Sequence, residues 1–180
     1  PSIDLSQYAD SIVQIGFFFH SENFQGGSVD VGPGWYIDDI AVITGPIVFN
    51  NPEGFENGIG DWASERGTWE VGIPTGGPGR AYSGQKCVAT VLNGNYDEAV
   101  DSHFDSPPFV VPSASQHPRL RFWHWYNINA GDYGRVDIKV GGSAWRPINS
   151  TTYNWAGSGV WTYPSIDLSQ YADSIVQIGF

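Results

Sequence analysis

The stretch PSIDLSQYADSIVQIGF occupies residues 1–17 and returns unchanged, at all 17 positions, as residues 164–180. The two copies start 163 residues apart in a chain of 180, so the sequence spans one period of a tandem repeat plus an overlap. Alternating apolar residues predict a strand over residues 11–19, whose inward face consists of Val13, Ile15, Phe17 and Phe19. Residues 4–10 could form one helical turn, but the sequence favours a loop that leads into this strand.

Turn-forming residues divide the period into three parts. The run WYIDDIAVI, residues 35–43, is typical of a closing strand, and the Gly-Pro and Asn-Asn-Pro runs after it are typical of a linker. We therefore interpret residues 1–46 as the C-terminal strands of one repeat and 47–53 as the linker. Residues 54–180 are then the N-terminal and central part of the next repeat, and neighbouring copies of the repeat are the first expected partners.

The overlap also makes a prediction about conformation. Because residues 1–17 and 164–180 are identical, they are expected to share one backbone conformation and one set of buried side chains. Residues 1–46 would then complete the preceding repeat and make few contacts with residues 54–180. The alternative is a self-contained, permuted fold. The absence of methionine indicates that the chain is a segment of a longer protein.

Composition favours an all-β fold. The chain has 23 glycines, 12 prolines and four leucines, while 15% of its residues are aromatic, which suits strands and turns rather than helices. A net charge of −11 argues against nucleic-acid and anionic membrane partners, because these require dense basic residues. No apolar run approaches the roughly 20 residues of a membrane span, so no membrane insertion is expected.

Short strands between turns refine this prediction. The run LRFWHWY predicts a strand that places His124 on the core face, and the run VDIKV alternates so that Asp137 and Lys139 face solvent. Cys87 lies in a strand-like segment and is predicted to be a buried, unpaired and slowly reacting thiol. Short antiparallel strands at this spacing predict a β-sandwich of the jelly-roll type.

Several motifs resemble a known family and are spread over the whole period. They are FENGIGDW (55–62), LRFWHWY (120–126), GRVDIKV (134–140), IDLSQYA (166–172), VQIGF (176–180) and GWYIDDIAV (34–42). With residues 1–46 placed last, the period resembles the bacterial extracellular jelly-roll modules of the MAM and cleaved-adhesin (choice-of-anchor J) type. Such modules occur as repeats in surface proteins and as tails on secreted proteases, so the resemblance implies an extracellular or cell-surface location.

Acidic residues of the closing strand suggest a calcium site. Alternation places Asp38 or its neighbour Asp39 toward the core, where an unpaired carboxylate is costly and lysine is scarce. Oxygen ligands of this kind suit Ca²⁺. In the similar modules, the acidic residue of the last strand meets a glutamate of the opening strand, which implies Glu56 here, with Asp61 as a further candidate. The alternative is that Asp38 caps a turn or accepts backbone N–H groups without a metal.

Clustered aromatic residues suggest a second kind of site. Sugar rings stack on exposed aromatic faces while nearby polar groups order the hydroxyls. The candidates lie in one loop-rich stretch and are Trp145, Tyr153, Asn154, Trp155 and Trp161. The alternative is that these rings belong to the core, since a sandwich with few leucines must fill its interior with aromatic side chains.

Catalysis is not expected from the motifs present. The sequence has no HExxH, GxSxG or Walker pattern, so the chain is predicted not to be an enzyme. The expected function is a non-catalytic structural or adhesive repeat module of a surface, stalk or filament protein, stabilised by calcium. The alternative is a carbohydrate-binding module of a secreted hydrolase or protease. Glycans or a cell-surface partner would then bind alongside neighbouring copies.

Overall fold

The computed structural model of the chain describes residues 5–20, 36–37, 40–42, 44–45, 48–154 and 157–180. The chain divides into two units, with the boundary between residues 46 and 47. We call residues 48–180 the body and residues 5–20 the leading segment. The helical segments of the described residues are 3-10 turns of three residues each, and none is long or apolar enough to cross a membrane.

The described body is all-β, as the composition predicts. Most of its strands are short, because frequent glycine and proline interrupt the runs of strand-forming residues. The strands are β1 (Ala63–Glu65), β2 (Glu70–Gly72), β3 (Cys87–Ala89), β4 (His103–Asp105), β5 (Phe109–Val110), β6 (Arg119–Arg121), β7 (Tyr133–Val140), β8 (Arg146–Asn154), β9 (Ser165–Asp167) and β10 (Ile175–Gly179).

All strand pairs in the body are antiparallel. The main sheet has the order β1-β4-β10-β7-β8, with β5 also paired to β10, and β2-β3 and β6-β9 form two-stranded ribbons. β10 is therefore a central strand. It pairs with β7 from Val176↔Val140 to Gly179↔Asp137, and its other side pairs with β4 and β5.

The core joins the main sheet to the β6-β9 ribbon. β10 contributes Val176 and Ile178, which are almost fully buried, and the turn before it contributes Leu168 and Tyr171. The remaining members are Val111, Val136, Ile138, Ile148 and Ile166. A second, aromatic cluster lies around Phe104 and Trp62, whose rings stack at 5.1 Å. Residues 168–180 thus supply several of the most buried side chains of the body.

Three indole N–H groups of the body are buried without a hydrogen-bond acceptor among the described residues. They are the Nε1 atoms of Trp62, Trp69 and Trp161. Trp62 and Trp69 both pack against the ring of Phe104, at 5.1 and 5.5 Å between ring centroids. Trp62 and Trp69 therefore lie in aromatic surroundings.

The identical overlap forms the same turn in both places. Ser6–Tyr8 and Ser169–Tyr171 are both 3-10 turns, flanked by Leu5 (φ −104°, ψ 5°) and Leu168 (φ −105°, ψ 3°). Two residues after each turn lies an aspartate in the left-handed conformation, Asp10 at φ 58° and Asp173 at φ 62°. The prediction of a loop over residues 4–10 is therefore wrong for Ser6–Tyr8, which forms the helical alternative.

The predicted strand over residues 11–19 is also wrong. Residues 11–20 are all described and adopt no regular secondary structure, whereas the equivalents of residues 12–16 form β10. A strand needs a neighbouring strand to satisfy its N–H and C=O groups, and β10 has β7, β4 and β5 for this purpose. The described residues of the predicted closing strand, 36–37 and 40–42, likewise lie in no strand.

Two further predictions for the body need correction. Asp137 is buried rather than exposed, because an irregularity in the β7-β8 register follows Arg135 and because His103 from β4 covers it. Cys87 is unpaired and lies in β3, as predicted, but it is half-buried rather than fully buried. Burial and the charge of Glu56 raise the pKa of its thiol, which favours the unreactive protonated form.

Candidate functional site

An exposed row of stacked rings lies next to the β6-β9 ribbon. The Tyr163 and Trp123 rings stack at 4.6 Å, and Trp123 stacks on Tyr82 at 3.6 Å between ring centroids. The guanidinium carbon of Arg121 lies 3.7 Å from the centre of the Tyr163 ring and caps that end. We call Tyr82, Trp123 and Tyr163 the aromatic row; all three side chains are exposed.

Strand pairing accounts for most of this row. β6 and β9 pair through Arg121↔Ser165, and an isolated bridge, His124↔Thr162, continues the same register. Trp123 and Tyr163 are therefore cross-strand neighbours, whose side chains meet on one face of the ribbon. His124 lies on the opposite face and packs against core aromatics, as predicted.

A shallow depression opens at the Tyr82 end of the row. Its volume is ≈ 420 Å³, and its lining consists of Arg80, Ala81, Tyr82, Ser83, Gly84 and Trp161. The Tyr82 and Trp161 rings meet edge to face at 6.1 Å. Two aromatic rings beside a guanidinium and a hydroxyl make a surface that can stack against an apolar ring face and bind its polar substituents.

The residues predicted to bind carbohydrate are not gathered in one place. Trp161 lines the depression beside Tyr82. Asn154 lines a second depression with Tyr133, of ≈ 290 Å³. Trp145 packs edge to face on the His103 ring, at 4.5 Å, and Tyr153 is half-buried against His124, where burial raises the pKa of its hydroxyl. Trp155 lies outside the described residues.

A group of charged side chains surrounds the buried Asp137 in the main sheet. Arg135 on β7 forms a bidentate pair with Asp137, at 2.7 and 3.0 Å. His103 on β4 lies between two carboxylates: its Nδ1 contacts Asp105, and its Nε2 is 3.6 Å from Oδ2 of Asp137. The Asp137 side chain is 5% exposed, so the partners on both sides compensate an otherwise costly buried charge.

The two half-buried histidines titrate in opposite directions. Burial by itself lowers the pKa of His103, but the hydrogen bond that its ring N–H donates to Asp105 and the charges of Asp105 and Asp137 outweigh it, so the pKa lies above its ordinary value. Burial alone lowers the pKa of His124, which has aromatic neighbours instead. His103 is thus suited to hold a proton between two carboxylates, and His124 to remain neutral.

This charged group has a structural rather than a nucleophilic neighbour. The nearby Ser106 follows β4, but its buried hydroxyl donates to the Pro107 carbonyl and accepts the Ile178 N–H, at 2.9 and 2.8 Å. Its hydrogen bonds therefore serve to fix β10 in the sheet.

The described metal-ligand candidates bind separate stretches of backbone. Oε1 of Glu56 accepts the N–H groups of Gln85 and Lys86, at 3.0 and 2.9 Å, and these bonds lower the pKa of its carboxyl. Oδ2 of Asp61 accepts the Val48 N–H at 2.7 Å. Asp38 and Asp39 lie outside the described residues. Within the described part of the chain, no group of three or more His, Cys, Asp or Glu side chains could hold a metal ion.

Neither the aromatic row nor the charged group around Asp137 was predicted from the sequence. The alternation along LRFWHWY does predict that Trp123 is exposed, because successive strand residues face opposite sides and His124 faces the core. Tyr82 joins Trp123 from about 40 residues away, and His103 reaches Asp137 from another strand. Local patterns carry no signal for such long-range pairs.

Comparisons with known proteins give one informative similarity. The chain is 32% identical over 136 residues to Bacillopeptidase F of Bacillus subtilis (strain 168), a peptidase by name. The alignment covers 70% of this chain and 9% of that protein, so the chain spans less than a tenth of its relative. No protein-family model and no solved structure matches the chain. The similarity therefore relates this all-β chain to a small part of a much longer protein.

Proposed function

We propose that the chain is a non-catalytic, extracellular accessory module that binds carbohydrate at the depression beside the aromatic row. The observation that carries the proposal is the exposed Tyr82 ring, which ends the row and lines the depression with Trp161 and Arg80. A sugar ring can stack its C–H face on such an aromatic surface, while Arg80 and Ser83 supply polar contacts.

Charge, fold and similarity support this proposal. A net charge of −11 with two lysines suits an exported, soluble module. An antiparallel main sheet joined through one core to a two-stranded ribbon suits a β-sandwich of the jelly-roll type. The relative is a long protein that is a peptidase by name, and an accessory module is one kind of segment that such a protein can share with others.

Affinity electrophoresis in gels containing soluble β-glucan, xylan or chitosan tests the proposal. The intact chain is expected to migrate more slowly in one of these gels, and Tyr82→Ala is expected to weaken binding by about tenfold because it removes the stacking surface. Tyr133→Ala is the matched control, since it removes an exposed ring from the second depression. Retardation lost in Tyr133→Ala and kept in Tyr82→Ala would contradict the proposed site.

A structural or adhesive repeat module is the second candidate function. The observation that favours it is the exact duplication of 17 residues, because tandem arrays arise by duplication and extend a protein or multiply its contacts. The partner in this case is a neighbouring copy of the same unit. This role and carbohydrate binding use different residues, so one module can have both.

Calcium stabilisation remains a prediction within either function. It depends on Asp38 or Asp39 joining Glu56, with Asp61 as a further ligand, since Ca²⁺ takes several oxygen ligands. EDTA is expected to lower the melting temperature, and added Ca²⁺ to restore it. Magnesium at the same concentration is the control, because its smaller octahedral site demands a different geometry. An unchanged melting temperature in EDTA would contradict the calcium prediction.

A further inference from the structure

The polar side chains of the depression beside the aromatic row are hydrogen-bond donors. Arg80 contributes a guanidinium, which only donates, and the hydroxyls of Tyr82 and Ser83 can donate as well. Trp161 adds an aromatic ring. The lining that the structure describes includes no Asp, Glu, Asn or Gln side chain. A ligand that complements this lining therefore presents acceptor oxygens.

Arg80 is also the one basic side chain that has no partner among the described residues. All eight lysines and arginines lie in the body. Four of the others contact oxygen atoms of the protein, namely Arg66, Lys86, Arg119 and Arg135. The remaining three lie over aromatic rings and are Arg121, Lys139 and Arg146. The charge and the donors of Arg80 are therefore available to a ligand.

The carboxylate beside this lining is already engaged. The Glu56 carboxyl lies against Gly84, one of the lining residues. Its Oε1 accepts the N–H groups of Gln85 and Lys86, and these bonds, together with the Lys86 charge, lower its pKa. The second depression differs, because a carboxylate, that of Asp132, is part of its lining. An anionic ligand is thus better suited to the depression that contains Arg80.

We propose that the ligand of this depression is an acidic saccharide, in which the carboxylate of a uronic acid pairs with Arg80 while a sugar ring stacks on Tyr82. A guanidinium and a carboxylate can form two parallel N–H···O bonds, which fixes the orientation of the sugar as well as its charge. The inference rests on the proposed function and names the chemical class of its ligand.

The charge of the whole chain restricts the ligand further. A net charge of −11 repels a densely charged polyanion at long range, and the single guanidinium of Arg80 compensates one anionic group. The ligand is therefore a mostly neutral polysaccharide that carries separate uronic acid groups, as glucuronoxylan does. A heavily sulfated polymer also presents anionic oxygens, but the chain repels it along its whole length.

Titration calorimetry at pH 7 and low ionic strength tests the inference with three soluble polymers. They are glucuronoxylan, the same polymer after its carboxyl groups have been reduced to alcohols, and dextran sulfate. The intact chain is expected to bind glucuronoxylan about tenfold more tightly than the reduced polymer, because reduction removes the charge-assisted bonds to Arg80. Dextran sulfate is expected to bind more weakly than glucuronoxylan, because the net charge of the chain repels it.

Variants of the chain locate the carboxylate. Arg80→Gln should weaken the binding of glucuronoxylan about tenfold and change that of the reduced polymer by less than about twofold. Arg121→Gln is the matched control, since it removes the same charge at the Tyr163 end of the aromatic row and should leave both affinities unchanged. Both arginines are exposed, so neither change is expected to disturb folding. Tyr82→Ala should weaken the binding of both polymers.

Four outcomes would overturn the inference. The first is equal or higher affinity for the reduced polymer, with both affinities lost in Tyr82→Ala, which would leave the proposed function in place. The second is an equal loss in Arg80→Gln and Arg121→Gln, which would indicate attraction to charge in general. The third is dextran sulfate bound as tightly as glucuronoxylan. The fourth is no binding to any polymer, in these titrations and in the gels described above, which would overturn the proposed function as well.

Discussion

Residues 5–17 and 168–180 have the same side chains in the same order, yet only the first halves of the two segments adopt the same structure. Both begin with a 3-10 turn that ends in a left-handed aspartate, at Asp10 and Asp173. Only the second copy continues as a buried strand, β10. The comparison separates what thirteen residues determine by themselves from what their surroundings determine.

The difference follows from the range of the stabilising contacts. The turn closes through bonds between near neighbours, Tyr8 to Leu5 and Tyr171 to Leu168, both at 2.8 Å. The strand depends on β7, β4 and β5, which lie 35 to 75 residues away along the chain. An unpaired strand has no such bonds to offset its loss of conformational freedom.

The largest difference between the two copies is expected from their central isoleucines. Ile178→Ala removes a side chain that is 1% exposed and should lower the free energy of unfolding of the body by about 2–5 kcal/mol. Ile15→Ala, the same change in the leading segment, should alter it by less than about 0.5 kcal/mol. Urea unfolding of both variants measures the difference, and equal effects would mean that residue 15 is also buried in solution.

A smaller difference is expected from the two glycines that follow. A Cβ at Gly179 would overlap the His103 ring, whereas a Cβ at Gly16 would meet nothing within 4 Å. Gly179→Ala should therefore cost about 1–3 kcal/mol through overpacking, while Gly16→Ala should be nearly neutral. Thermal unfolding followed by circular dichroism checks the pair, and a neutral Gly179→Ala would contradict the close approach of His103 to β10.

The smallest effect is a pH dependence that comes from His103 in the body. The pKa of His103 is raised in the folded state, so its contribution is fully present below the ordinary histidine pKa of about 6.5 and is lost as pH rises through the folded value. The loss cannot exceed about 1.4 kcal/mol per pH unit for one proton. Urea titrations between pH 6 and 9 should show the decline, and His103→Gln should flatten it.

His124 supplies the opposite control for that experiment. Burial lowers its pKa, so stability should fall as pH drops below about 6.5, where the unfolded chain binds the proton more readily. His124→Gln should remove this acid-side decline and leave the decline above pH 6.5 in place. Identical pH profiles for the two variants would contradict the assignment of separate environments.

The sequence was sufficient for features that depend on composition and short patterns. The all-β fold, the inward His124 and the strand at Cys87 follow from alternation, aromatic content and frequent turn residues. Asp137 could not be placed, because its burial results from a register irregularity and from His103, which the sequence holds 34 positions earlier.

The candidate site, like the fold, was predicted only in part from the sequence. Trp161 was identified as an aromatic candidate, and it lines the depression. Tyr82, which ends the aromatic row, was not identified as a candidate. Its place depends on contact with Trp123, which lies 41 positions later in the sequence. Pairing between distant segments, rather than any property of the residues alone, accounts for what local patterns missed in both the fold and the site.

The buried indoles give the two regions different optical properties. Trp62, Trp69 and Trp161 hold their N–H groups away from solvent, without an acceptor among the described residues. Indole emission lies at shorter wavelength in such surroundings than in water, so unfolding of the body will shift the fluorescence to the red. The leading segment contains no tryptophan. A rearrangement confined to the leading segment will therefore leave the tryptophan emission unchanged. A shift in the emission wavelength will instead indicate a change in the body and its aromatic interior.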